Sequence, residues 1–138
     1  MANASDYLES KIYNHIFRQI PFALPTTVAI GLTTDTPKDD GSYTEVVGGG
    51  YARCPHASGT LKWSAMSNPG SGENIVEFAF PVATADWGTI SGIVICDSAT
   101  PGFGLSNVLM HGILTPPRNI LSGDIFCFSS GSISISIQ

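Results

Sequence analysis

The stretch 86–97 constrains the fold most strongly, because it joins a tight turn to an apolar, β-branched segment. Gly88 follows Trp87 and supplies the positive φ that such a corner often requires. Isoleucine and valine dominate the rest, which favours a strand, and the aspartates at both ends favour turns. The sequence therefore predicts a buried strand, with the Trp87 ring packed against residues such as Ile93 or Ile95.

The rest of the chain repeats this pattern of short apolar segments between turn residues. Clusters of Gly, Pro, Asn and Ser interrupt an alternation of period two that begins after Pro25. Near the end of the chain, 132–137 alternates strictly between Ser and Ile, which predicts three buried isoleucines on one face. The series predicts a mainly β fold, an antiparallel β-sandwich or jelly-roll-like body. The predicted strands are 28–32, 43–47, 51–55, 61–66, 75–80, 90–96, 108–114, 125–128 and 132–137.

Residues 6–20 carry a helical pattern. Apolar side chains recur every four residues at Leu8, Ile12 and Ile16, and apolar neighbours widen the stripe. Asp6 predicts a cap for the first turn, and a proline directly after the segment predicts the end of the helix. The pattern therefore predicts an amphipathic helix.

The change of period divides the chain into an N-terminal helical arm, residues 1–20, and a β-sandwich body, residues 21–138. Two arrangements of the arm are open. In one, the apolar stripe covers an end of its own body, and in the other it docks on another subunit. In the second arrangement the predicted partner interface is Tyr7, Leu8, Ile12, Ile16 and Phe17.

Low charge distinguishes the composition. Asp, Glu, Lys and Arg make up 12% of the residues, against about 25% in ordinary soluble domains. Either Ser and Thr hydrate the outer face of the sheet or, as we favour, partner subunits cover part of the surface. The net charge of −5 argues against nucleic acid as a partner, because binding phosphates requires clustered basic side chains.

No apolar run reaches the roughly 18 residues that span a bilayer, and no signal-peptide pattern opens the chain. We therefore expect no membrane partner and a soluble, unexported product.

Candidate catalytic groups lack the neighbours that catalysis requires. Cys54 and His56 lie two residues apart, but Pro55 separates them and no third group orients the imidazole. The carboxylates are scattered, and no pair is fixed at the separation that glycoside hydrolysis needs. The three cysteines lie far apart, which predicts reduced, mostly buried thiols. We therefore predict no catalytic residues, no cofactor and no metal site, and we expect that the chain is not an enzyme.

Two further features predict structure. Gly48, Gly49 and Gly50 precede a predicted strand, so they indicate a hairpin or bulge and not a phosphate-binding loop. Arg53 follows an aromatic residue and predicts a buried or interfacial ion pair with a carboxylate such as Glu45, with a simple surface Arg as the alternative.

Several short motifs are spread over nearly the whole chain. They are 6–11, 14–17, 50–53, 86–97, His111 with Gly112, 114–115 and 122–124. Together they resemble small virion proteins of tailed bacteriophages, which are labelled either tail-fibre proteins or head decoration (cement) proteins. The resemblance implies a non-enzymatic component of the virus particle with a β-sandwich body.

This resemblance and the low charge lead to a first functional hypothesis: a head decoration or cement protein that bridges capsid subunits. Its expected partners are the major capsid protein and itself, as a homotrimer, and its expected location is the virion, assembled in the host cytoplasm. The alternative is a tail-fibre or baseplate-associated host-binding protein. In that case the loops 35–42 and 68–73 are expected to contact a host glycan.

Overall fold

The computed structural model describes residues 2–55, 57–66 and 70–137. None of these residues forms a helix with the length and apolar character needed to cross a membrane. The helix and strands of the described residues are β1 (Ala2–Ala4), α1 (Asp6–Phe17), β2 (Ala29–Thr33), β3 (Ser71–Glu73), β4 (Phe78–Ala79), β5 (Gly88–Cys96), β6 (Val108–Ile120), β7 (Cys127–Phe128) and β8 (Ser134–Ser136).

The strands form two sheets. Six of them make a mixed sheet in the order β2-β5-β6-β1-β8-β3, and β4 pairs with β7 in a second sheet. β1 runs parallel to β8 and antiparallel to β6. Phe78 and Phe128 from the small sheet share the main core with Ile93 from the large one. This sandwich-like, mainly β arrangement with one N-terminal helix confirms the predicted fold class.

The edge strand β2 and residues 92–96 of its neighbour β5 are buried on both faces. Ile30 pairs with Ile95, and both side chains lie in the main core. On the other face of the sheet, Val94 and Cys96 join a smaller apolar cluster with Tyr43. The sequence alternation of β2 is therefore present, but every residue of the strand is buried because loops cover the second face.

Trp87 lies in the main core, with 5% of its surface exposed, so its predicted burial is confirmed. Its indole N–H donates to the Gly49 carbonyl at 2.8 Å, and its ring meets the Tyr51 ring edge to face, with centroids 5.3 Å apart. The next residue, Gly88, has the expected positive φ of 83°. A Cβ on Gly49, whose φ is 60°, would lie 2.8 Å from the indole. The absence of a side chain at Gly49 therefore leaves the space that this ring occupies.

Three predicted strands, 43–47, 51–55 and 61–66, are wrong. They contribute only isolated bridges, which join Glu45 to Thr33, Cys54 to Ile30 and Trp63 to Asn74. Consecutive glycines with positive φ separate the first two segments and prevent a continuous ladder. A few backbone hydrogen bonds attach these segments to their neighbours, and buried side-chain hydrogen bonds, described below, strengthen the attachment of the first two.

The ends of the sheet also differ from the sequence pattern. Ile133 is buried, Ile135 is half-buried and Ile137 is exposed, so the prediction of three buried isoleucines is wrong. The β8 ladder spans only Ser134–Ser136, which leaves the last isoleucine beyond the sheet. The pattern does not predict β1 or β3, because these short strands are built mostly from small residues without apolar alternation. β1 nevertheless occupies an interior position of the main sheet.

Candidate interaction surface

Ser5 fixes the start of α1 on the main sheet. Its side chain accepts a hydrogen bond from the Leu8 N–H at 3.3 Å, which makes Ser5 the N-cap. Its hydroxyl donates to the Val108 carbonyl, and its backbone N–H donates to the Leu109 carbonyl at 3.0 Å. The predicted cap, Asp6, is instead the first helical residue, because the buried hydroxyl before it already occupies the capping position.

The structure separates the predicted interface residues into two groups. Tyr7 and Leu8 are half-buried and pack against the main core, and Ile12 is also half-buried. Ile16 and Phe17 are 60% and 71% exposed. The first half of α1 therefore covers its own body, whereas the second half is left exposed.

Four apolar side chains form the exposed patch that we call the apolar helix end: Tyr13, Ile16, Phe17 and Ile20. The first three lie on one face of α1, at spacings of three and four residues from Tyr13, and Ile20 follows the end of the helix. The Tyr13 and Phe17 rings contact each other, with centroids 5.2 Å apart. The predicted interface leaves out Tyr13 and Ile20, although the same spacing identifies them.

The helix ends at Phe17, before the predicted end at residue 20. Gln19 has a left-handed φ of 54°, and the Ile20 N–H donates back to the Asn14 carbonyl at 3.0 Å. This turn satisfies a helix carbonyl without Pro21 and keeps Ile20 close to the last helical turn.

An apolar groove of about 530 Å³ lies beside the start of α1. Ile95, Met110 and Ile135 form part of it, so it crosses β5, β6 and β8. Leu8 and Trp63 also line it. Among the described residues that line the groove, none carries a charged side chain. The groove therefore suits an apolar occupant.

A different cluster is charged and buried. The Arg53 guanidinium donates through Nε and Nη2 to the two Glu45 carboxylate oxygens, each at 2.8 Å, and both side chains are at most 2% exposed. Nη2 also donates to the Tyr43 hydroxyl at 2.8 Å, and the Tyr51 hydroxyl donates to Glu45 at 2.7 Å. We call these four residues the Arg53 cluster. The predicted Arg53–Glu45 ion pair is confirmed.

The Arg53 cluster joins loops to the second face of the sheet. Arg53 Nη1 donates to the Ser98 carbonyl at 2.8 Å and the Ser106 hydroxyl at 2.9 Å, and the Gly102 N–H donates to Glu45. A Cβ on Gly31 would lie 2.7 Å from a Glu45 oxygen, so a glycine in β2 lets the carboxylate approach the strand. The cluster thus replaces a ladder as the attachment of these loops.

Burial and charge set the protonation of the cluster. Burial, the largest effect, raises the pKa of Tyr43 to about 12. Burial and then the Glu45 charge raise the pKa of Tyr51 above its usual range. Burial, the largest single effect, lowers the pKa of Arg53, but the hydrogen bonds to Glu45 and the charge interactions with Cys96, Glu45 and Tyr43 together outweigh it, so the pKa is raised. Both phenols therefore remain protonated beside a charged ion pair at neutral pH.

The polar loop 35–42, expected to be charged and solvated, is attached to the body. The His111 ring contacts the Asp39 carboxylate at 2.7 Å, and the Asp6 N–H donates to the Asp39 carbonyl at 2.9 Å. Asp40 accepts two hydrogen bonds from Ser42, which lower the pKa of its carboxyl. Within the described ranges, no three His, Cys, Asp or Glu residues converge as metal ligands.

The other candidate chemical groups have structural contacts where they are described. Asp86, Asp97 and Asp124 accept hydrogen bonds from turn N–H groups at 2.8–2.9 Å. Cys54 is buried, and burial raises the pKa of its thiol. His56, its predicted neighbour, lies outside the described residues. The structure thus assigns these three aspartates to turns.

The family profile described as podophage GP4 fiber I protein gp80 matches residues 3–136. The chain belongs to this family. No curated protein matches the chain. Membership of this family identifies the chain as a phage virion structural protein of the fibre type.

Proposed function

We propose that this family member is a structural subunit of the phage tail fibre and that it joins neighbouring chains of the virion through the apolar helix end. The observation that carries the proposal is the exposed row of Tyr13, Ile16 and Phe17 on a helix whose start is fixed to the body. The family description, which names a fibre protein, favours this alternative over the head-decoration hypothesis.

The proposed role is mechanical. Apolar side chains exposed on a fixed helix gain free energy when a second chain covers them, so they favour the assembled state. The charged Arg53 cluster is fully hydrogen-bonded within the chain and supports the loops of the body. Neither role requires turnover, and the expectation that the chain is not an enzyme stays a prediction.

Contact of the loops with a host glycan also stays a prediction. Loop 35–42 is attached to the body through Asp39. Residues 68–69 of the second predicted loop, 68–73, lie outside the described part of the chain, and Ser71–Glu73 form strand β3 and not a loop. We therefore limit the proposal to assembly of the fibre.

Electron microscopy of tagged virions tests the location. A peptide tag fused through a flexible linker after Gln138 is labelled with gold-conjugated antibody on purified particles, with untagged phage as the control. We expect gold at the tail fibres. Label spread over the head would overturn the proposal and support head decoration, and particles that lack the chain on an immunoblot would overturn both hypotheses.

A further inference from the structure

The apolar helix end has the pattern of a segment that docks in a groove. Tyr13, Ile16, Phe17 and Ile20 are 57%, 60%, 71% and 46% exposed. The spacing of Tyr13, Ile16 and Phe17 on α1 matches the anchors of amphipathic helices that bind in hydrophobic grooves, and Ile20 adds an apolar side chain just beyond the helix. A partner for this patch must therefore present a long apolar depression.

The same chain carries such a depression. The apolar groove crosses three strands of the main sheet, and Ile95, Met110 and Ile135 line it. Ser58 and Thr60 also line it and are exposed, so they offer a polar edge without charge. An uncharged groove fits apolar anchors better than it fits a charged ligand.

A chain does not fill its own groove with its own helix end. Leu8 lines the groove, and Ile16 lies eight residues later in the same continuous helix, about 12 Å further along its axis. The rigid helix that borders the groove thus carries the anchors away from it. The helix end of another copy has no such restriction.

The buried surface areas are consistent with two copies that each place a helix end in the groove of the other. If each of the four large side chains has about 200 Å² of accessible surface when free, the surface that they expose at the helix end sums to roughly 450 Å². A single helix-in-groove contact then buries about 900 Å² in total, below the roughly 1,200–2,000 Å² of a stable interface. Two contacts in a reciprocal pair bury about 1,800 Å², which lies within that range.

We propose that the apolar helix end of one copy docks in the apolar groove of a second copy of this chain. Each copy thus gives a helix and receives one, and the two contacts close as a reciprocal pair. The inference rests on the proposed assembly role, for which it names the partner and the surface.

Sedimentation of the purified chain at micromolar concentration tests the contact. We expect wild type to associate, and we expect both Phe17→Ser in the helix end and Thr60→Arg at the groove to weaken association about tenfold or more. The matched controls are Glu9→Ser, an exposed position near the start of α1, and Thr100→Arg, an exposed position outside the groove lining. Circular dichroism verifies that all variants are folded.

Mixing the two variants distinguishes this contact from packing between helices. Phe17→Ser chains keep an intact groove, and Thr60→Arg chains keep an intact helix end, so a mixed pair retains one unaltered contact. The mixture should therefore associate more strongly than either variant alone. Loss of association with Phe17→Ser but not with Thr60→Arg would overturn the groove as the docking site. A wild type that stays monomeric would overturn the contact altogether.

The two proposals fail in different ways. A monomeric wild type whose tag labels the tail would overturn the helix-in-groove contact and leave the tail-fibre role intact. Association that passes the mixing test in a protein whose tag labels the head would overturn the tail-fibre role and leave the contact intact.

Discussion

Arg53 and Phe17 are opposite exceptions to the usual distribution of side chains. Arg53 is charged yet 2% exposed, whereas Phe17 is apolar yet 71% exposed. Arg53 finds a carboxylate, two hydroxyl groups and a carbonyl within the same chain. Phe17 contacts the Tyr13 ring, but that ring is itself exposed.

This difference separates folding from assembly. A buried charge is tolerated only when the fold supplies all its partners, so the Arg53 cluster belongs to the stability of a single chain. An exposed apolar patch contributes little to that stability and gains free energy when another surface covers it. Mutations in the two regions are therefore expected to affect different measurements.

The largest effect is expected from Arg53→Met. It leaves the Glu45 carboxylate buried without its cation, which should lower the free energy of unfolding by about 3–5 kcal/mol in a urea titration. Arg118→Met, at an exposed arginine, is the matched control and should change it by less than about 0.5 kcal/mol.

The double variant Glu45→Gln with Arg53→Met sharpens this test. It removes both charges, so it should be more stable than Arg53→Met alone. If the single and double variants lose the same free energy, the unpaired charge is not the cause and the account of the Arg53 cluster is wrong.

An intermediate effect is expected from alkaline pH. The pKa of Tyr43 is raised to about 12 in the fold, above the ordinary value near 10, so the protonated phenol stabilises the folded state. This contribution is fully present below about pH 10 and is lost as the pH rises towards about 12. Urea titrations across this range should show a smaller loss of stability for Tyr43→Phe than for wild type. Equal losses in both proteins would argue against a raised Tyr43 pKa.

The smallest effect on stability is expected from Phe17→Ser. Because the side chain lies mostly in water, the free energy of unfolding of dilute, dissociated protein should change by less than about 0.5 kcal/mol. Thermal unfolding at low concentration checks this value. A loss comparable to that of Arg53→Met would show that the helix end supports its own body, and the contrast between the two regions would fail.

Deleting residues 1–20 would not separate the two roles of the N-terminal segment. β1 lies between β6 and β8, so its removal opens the main sheet, and Ser5 anchors the helix to β6. A deletion therefore confuses loss of docking with loss of folding. Point substitutions in the apolar helix end avoid this problem because they leave the strand and its cap in place.

Local patterns in the sequence determined much of the architecture. A run of β-branched residues after Trp87 and Gly88 predicts a buried strand, because side-chain shape and backbone preference act over a few neighbouring residues. The fourfold spacing of apolar residues likewise predicts α1. The Arg53–Glu45 pair was also accessible, because an arginine two residues after Tyr51, in a chain with few charged residues, favours a nearby carboxylate as its counter-ion.

Only the tertiary structure decided which of these elements pair and which surfaces remain open. Ala2–Ala4 has no strand signal, and it becomes an interior strand because β6 and β8 offer hydrogen bonds on both sides. The helix stripe is uniform in sequence, yet the body covers Leu8 and leaves Phe17 exposed. Burial depends on which distant parts of the chain pack against a residue. The spacing of apolar residues along the sequence carries no information about those long-range contacts.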